Sequence, residues 1–272
     1  MCFFLGIYST FSSSANCFTK SSQRMVSEIQ LRLRFKGPTS TIFSMIVPRF
    51  LTYKRETFLL FPQVKIVPSN NLGIINNAGI VSAGPLMDIN TNDLIDQFNV
   101  NLIGIHRITS TFFPLILESK GRIIMISSNS GFFAAPFFGP YSASKFALEG
   151  YSDSLRRELL LYDVKVIIIQ PGRINTAIWS KGEELLNKFK GSIFEKEAVV
   201  IGKHEIEKGK TDSLDPIEVA KIILKALIIK KPKNRYMIVP DMFRNKLLKI
   251  LSSKRIDNIL RKELYKIKNK KN

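Results

Sequence analysis

Two cysteines, two histidines and one tryptophan are all that 272 residues contain, and each shortage closes off a class of function. Cys2 and Cys17 can form one bridge at most, so no disulfide framework holds this chain together, and no Cys or His spacing suits a zinc site. The pair fits a reducing compartment. His106 and His204 are isolated and read as structural or surface residues, so no metal site is expected. No apolar run approaches the roughly 20 residues that span a bilayer, and no membrane-spanning segment is expected either. Glycine is scarce at the start, with only Gly6 and Gly37 before residue 70.

Acidic residues are the next shortage, and it is local. The net charge is +19, but residues 1–75 hold nine Lys/Arg against two acids and residues 230–272 hold fifteen against three. Residues 76–229 hold seventeen of each. A nucleic-acid-binding domain carries its basic patch on the working fold, whereas here the excess lies in the flanks, so no nucleic-acid partner is expected. The Lys-rich end, residues 262–271, reads as a solvated tail, with weak peripheral contact to anionic membrane as the alternative.

Residues 1–19 carry no charge but are Ser-rich and lack the positive start of a secretory signal. With Arg24, Arg32 and Arg34 following, they loosely resemble a transit peptide, and an arbitrary leader is the simpler reading. The chain reads as cytoplasmic, with membrane-peripheral placement as the alternative.

From about residue 70 the pattern alternates. Leu72-Gly73-Ile74-Ile75 predicts a short apolar strand. Asn90 to Asp93 supply capping residues for a helix with Leu94, Ile95, Phe98, Leu102, Ile105 and Ile108 at helical spacing, fading near Pro114. Residues 123–126 predict a strand ending at Ser127-Ser128. Residues 129–140 read as a loop, 141–160 as a helix and 164–169 as a fully apolar strand stopped by Pro171-Gly172. Residues 177–212 read as mixed and mobile. Asp215-Pro216 starts another helix, 236–239 a last strand, and 243–267 a basic amphipathic stretch. Unbroken apolar strands alternating with helices mean an α/β fold with a doubly wound, Rossmann-like parallel sheet. Asn76-Asn77-Ala78-Gly79, Ser127-Ser128 and Pro171-Gly172 all fall at carboxyl ends of strands, where such sheets bind ligands.

The chemistry is carried by Tyr141 and Lys145. Four residues apart, they share one helix face, and an ammonium beside a phenol favours its ionised form. That would give a proton donor and acceptor usable near neutral pH. Ser128 stands thirteen residues upstream at a strand end.

Taken together, Asn76-Asn77-Ala78-Gly79, Asn101, Ser128, Tyr141, Lys145 and Pro171-Gly172 through Thr176 resemble the short-chain dehydrogenase/reductase family in order and spacing. The likeness covers about residues 72–240. The stretch from Gly139 to Glu149, with Ser154-Leu155-Arg156-Arg157-Glu158, looks most like the hydroxysteroid and retinol dehydrogenase branch. The resemblance implies an oxidoreductase that moves hydride between NAD or NADP and a lipophilic alcohol or ketone, and a homo-oligomer. By the same resemblance, Tyr141 is the general acid/base, Lys145 lowers its pKa and binds the nicotinamide ribose, Ser128 positions the carbonyl, and Asn101 holds a relay water. Asn77, Ala78 and Gly79 lie by the cofactor's adenosine side, and Pro171, Gly172 and Thr176 shape the nicotinamide pocket. Structural readings stand beside these. Asn101 could tie down the adjacent strand, Ser127 could take the Ser128 role, and Phe132, Phe133, Phe137 and Phe138 could pack their loop rather than meet substrate. Arg156 and Arg157 read as a solvated helix face.

The family's opening Gly-rich turn, which brings backbone N–H groups to the pyrophosphate, has no counterpart. Residues 1–69 therefore read as an atypical segment in place of the cofactor-binding half, with 26–35 alternating like a half-buried strand. Residues 70–241 read as the catalytic core and 242–272 as a basic tail. Losing a central strand is expected to leave an exposed parallel edge. An impaired, non-enzymatic relative and a peripheral membrane protein remain as alternatives.

Overall fold

Short runs of isoleucine and valine set the sheet. The computed structural model describes residues 43–46, 63–67, 73–176, 179 and 187–269. Among these, six strands pair in the order in which they occur: β1 (Phe43–Ile46), β2 (Gln63–Val67), β3 (Gly73–Asn76), β4 (Arg122–Ile126), β5 (Lys165–Pro171) and β6 (Arg235–Ile238). The last four run parallel, as expected. The stretch read as a strand at 26–35 lies outside the described residues, as does most of 177–186.

The exposed edge expected beside β3 is not there. β2 covers it in antiparallel pairing, with Val64 opposite Asn76 and Val67 opposite Gly73, and β1 pairs antiparallel beyond it. A five-residue connection between β2 and β3 is long enough for an antiparallel return, whereas a parallel partner would need a crossover. The strand order never reverses among the described residues, so they form no switch point of the kind at which doubly wound sheets take dinucleotides.

Helices α2 (Gly104–Glu118) and α3 (Gly139–Glu158) pack against β3, β4 and β5, and α1 (Thr91–Phe98) packs against α3. α4 (Glu195–Thr211) follows, and α5 (Pro216–Ile228) packs on β4 and β5. Alternate residues of a strand point to opposite faces. Ile75, Ile124, Ile126, Ile167 and Ile169 meet Val219 and Ala226 of α5 in one cluster. Ile74, Ile123, Met125 and Ile168, which point the other way, are just as fully buried. Each such side chain contributes roughly 1.5–3 kcal/mol of burial, and both faces of the parallel strands are covered.

Three expectations need correcting. α2 does not fade at Pro114 but runs through it to Glu118. Proline forfeits the helix bond to the carbonyl four residues back. Pro114 and Ser110 both lie on the exposed face, where water can satisfy that carbonyl, while buried Ile105, Phe112 and Ile116 hold the other face. As a result the helical segment Thr91–Glu118 spans 28 residues and is long and apolar enough to cross a membrane by length and composition. The apolar ridge of its second half, α2, faces the sheet. Finally, residues 195–211 of the stretch read as mobile are helix α4, with Ala198 and Ile206 buried.

Candidate active site

The parallel strands deliver Asn76, Ser127-Ser128 and Pro171-Gly172 to one edge of the sheet. Backbone bonds lock that edge: Ser127 N–H donates to Ile169 O (2.8 Å) and Gly172 N–H to Ile238 O (2.8 Å). α3 starts just below, with Pro140 in its first turn, and presents Tyr141 and Lys145 towards the end of β4. The Lys145 ammonium lies 5.7 Å from the Tyr141 ring centroid. It is 4% exposed and donates to Ile126 O, the last carbonyl of β4, at 2.9 Å. Its other hydrogens have no acceptor among the described residues.

Asn101 reaches the same place from a different element. Between α1 and α2 the helix widens into a π-turn, Asn99–Ile103, closed by Gly104 N–H to Asn99 O. Such turns are frequent at functional sites. Buried Asn101 accepts from Ile80 N–H (2.9 Å) and donates to Ile80 O (3.1 Å) and to Ser144 Oγ (3.0 Å). It therefore has a structural role, but it ties down the turn after β3 rather than, as expected from sequence, the strand itself. It also faces Lys145 across Gly79. A β-carbon added at Gly79 would sit 3.7 Å from Asn101 Oδ1 and 3.8 Å from Lys145 Nζ. The space above Gly79 is thus walled by one amide oxygen and one ammonium.

Sequence reasoning missed Gln97. Fully buried, it accepts from Ser82 N–H (2.6 Å) and donates to Ile80 O (2.7 Å). Gln97 and Asn101 clamp the turn together. Their four-residue spacing, the same argument that singled out Tyr141 and Lys145, would have found the pair.

Ser128 caps a short turn, accepting from Ser130 N–H (3.1 Å) and donating to Asn129 Oδ1 (3.1 Å). A substrate oxygen would compete with Asn129 for that proton. Ser127 Oγ is buried without a partner among the described residues and faces Gly131. Asn76 is structural, donating to Thr109 Oγ1 at 3.0 Å. Asn77 and Gly79 are exposed at the strand end, Pro171 is buried, and Thr176 is exposed. The phenylalanine loop divides. The Phe137 ring packs edge-on against Phe194, while Phe132 lies under the Lys249 ammonium, 4.2 Å from its ring centroid.

The electrostatics differ from the sequence expectation. Burial pushes the Tyr141 phenol above its usual value, and hydrogen bonding with Ser128 only partly offsets this. The same burial lowers Lys145 to about 8, against the opposing pull of Glu149. Each group is perturbed more by loss of water than by the other's charge.

Glu149 was not singled out by sequence. It lies one turn beyond Lys145 on the same face and is gripped by Gln170 Nε2 (2.9 Å) and Arg235 Nε (3.0 Å). Arg235 also pairs with Asp153 (2.9 Å), which holds Arg156 (3.3 Å). Arg156 is therefore half-buried in an ion-pair network rather than on a solvated face. Glu149→Gln keeps the shape and removes the charge. It is expected to lower the Lys145 pKa further, so the alkaline limb of any Lys145-dependent activity moves to lower pH. A pH profile checks this, and an unmoved limb would reduce Glu149 to scaffolding.

Residues 70–185 match the family model for short chain dehydrogenases. The chain is 36% identical over 216 residues to an NADPH-dependent 3-dehydrocapnine reductase of Ornithobacterium rhinotracheale, covering 75% of this chain and 74% of that one. It is 37% identical over 200 residues to a 3-amino-tetrahydro-pyrrolizinone reductase of Xenorhabdus hominickii, covering 68% of each. A crystal structure of a short-chain dehydrogenase from Streptomyces avermitilis superposes with a TM-score of 0.54 at 24% identity, over 74% of this chain and 70% of that one. At that identity the likeness speaks for the fold.

Proposed function

Because this chain belongs to the short-chain dehydrogenase/reductase family, we propose that it reduces a lipophilic ketone to its alcohol, or the reverse, with NAD or NADP, in the manner of the hydroxysteroid and retinol dehydrogenase branch. The observation that carries the reading is the buried Lys145 ammonium beside the Tyr141 ring, with hydrogens to spare, opening on the space above Gly79.

The dinucleotide, when bound, supplies or accepts the hydride. Lys145 would hold its nicotinamide ribose with the free ammonium hydrogens. Asn77, Ala78 and Gly79 would line its ribose side, and Pro171, Gly172 and Thr176 its nicotinamide side. Tyr141 would give its phenolic proton to the substrate oxygen in reduction and take one back in oxidation. Ser128, turned from Asn129, would hold that oxygen, and Asn101 would position the Gly79 turn and any water linking Lys145 to solvent. The aromatic Phe132 loop supports an apolar substrate. We assign these roles to residues 70–241 as the catalytic core, with residues 1–69 as an atypical entry to it.

The described residues fit the nicotinamide end of the cofactor. They include no Gly-rich strand-to-helix turn for the diphosphate, and the sequence before residue 70 has only Gly6 and Gly37. That one observation supports a second reading, an impaired relative that turns nothing over.

Titrating the purified full chain with NADH and with NADPH, and following nicotinamide fluorescence, separates the two. Saturable binding of either is expected. A folded protein that binds neither would sink the enzymatic reading.

A further inference from the structure

Two helices close the chain, α6 (Met242–Ile250) and α7 (Ser253–Asn269), and they treat their apolar residues in opposite ways. On α7, Ile256, Leu260, Leu264 and Ile267 share one face and are half-buried, Leu260 and Leu264 lying across from Pro136. That is the usual arrangement for a helix covering a core. α6 is inverted. Phe243, Leu247 and Ile250 recur at four and three residues and so share a face, yet they are 79%, 39% and 80% exposed. The residue that α6 buries is Asn245, which donates to Asp241 O at 2.8 Å. The start of the helix is fixed by Asp241, which accepts from Arg244 N–H at 2.9 Å. Single exposed apolar residues are ordinary, but three in one stripe on a capped helix are a surface.

The charge around the stripe says what covers it. Between Asp241 and Asp257 the chain carries five cations and no acid. Arg244, Lys246, Lys254 and Arg255 are exposed. An apolar stripe in a cationic belt is the chemistry of a helix lying in the surface of an anionic bilayer. A protein partner with an apolar groove would match the stripe but not the unrelieved positive charge.

We propose that α6 docks this protein on anionic lipid, with Phe243, Leu247 and Ile250 entering the headgroup boundary. The position of α6 ties docking to the site. Lys249 turns inward, over the Phe132 ring and onto Gln170 Oε1 at 3.2 Å, so the helix is mounted on the loop that follows Ser128. Resting on the reading that the substrate is a lipophilic ketone or alcohol, docking sets the substrate entrance against the phase in which that substrate dissolves.

The test is co-sedimentation of the full chain with vesicles of phosphatidylcholine alone and of equimolar phosphatidylcholine and phosphatidylglycerol, at ~0.15 M and ~1 M salt. Retention on the anionic vesicles that weakens at high salt is expected. The double variant Phe243→Glu, Ile250→Glu should lose about tenfold or more of it. No retention, or equal retention of parent and variant, overturns the proposal, as does preference for single-stranded RNA over vesicles at the same salt. The NADPH titration, run on the same samples, should be unmoved by the variant. Vesicle retention without any cofactor binding would leave docking standing and remove the enzymatic reading.

Discussion

Tyr141→Phe is expected to cut turnover by a factor of about 10²–10⁴ while leaving the NADH and NADPH titrations where they were. The change deletes one oxygen from a half-buried ring and leaves the Lys145 contact with that ring in place. The loss should therefore appear in kcat rather than in cofactor affinity. The direction of the Tyr141 pKa shift adds a signature. Burial holds the phenol above its usual value, so near neutral pH it is a proton donor and its phenolate is scarce. Reduction, which needs the donor, should proceed across the neutral range. Oxidation, which needs the phenolate, should climb by about tenfold per pH unit while the phenol remains mostly protonated. Measuring kcat/KM in both directions between about pH 7 and pH 9 checks this. A flat oxidation profile, or a Phe variant of undiminished kcat, would remove Tyr141 from the role.

Lys145→Met should abolish turnover and yet make the protein harder to unfold at neutral pH. The free lysine value of 10.5 falls to about 8 in the fold. Keeping the ammonium charged there costs about 3 kcal/mol at neutral pH. The sign follows from proton counting. Between about pH 8 and pH 10.5 the unfolded chain binds more protons than the native one, so this group's contribution to stability rises with pH. The cost is complete below pH 8 and gone above 10.5. Methionine removes it but leaves Ile126 O without its donor, which returns about 1 kcal/mol. The variant should gain about 1–3 kcal/mol near pH 7, and that gain should vanish near pH 10.5. Urea unfolding at the two pH values reads it directly. A variant less stable than the parent at pH 7 would show that the ammonium is held at no cost, and that burial is not what sets its pKa.

What could be read from the sequence depended on whether the signal was local. The strands at 123–126 and 164–169 announced themselves because a buried parallel strand needs apolar residues on both faces. Tyr141 and Lys145 were legible because helical spacing alone puts them side by side. Ser128 was legible from its place at the end of an apolar run. Glu149 and Arg235 meet across 86 positions, and nothing local to either residue points to the other. Gln97 was within reach only through its four-residue spacing from Asn101, because its partners are backbone groups of Ile80 and Ser82, which every residue has. Pro114 misled because a helix-breaking rule for an isolated segment was outweighed by the ridge that anchors α2. The Tyr141 pKa was misjudged for a related reason. Spacing reveals the neighbouring charge but not the loss of water that overrides it.

The unreversed order of the sheet has a consequence for how the molecule is made. Each strand from β1 to β6 docks on the one synthesised just before it. Among the described strands, no place has to be kept open for one still inside the ribosome. Loop-closure entropy then enters in modest instalments, and the sheet can lengthen as the chain emerges. Until β6 arrives, each newly added parallel strand is an unprotected edge. The nascent chain is therefore most exposed to mispairing between the emergence of β5, with its unbroken apolar run, and that of Tyr236 and its neighbours on β6.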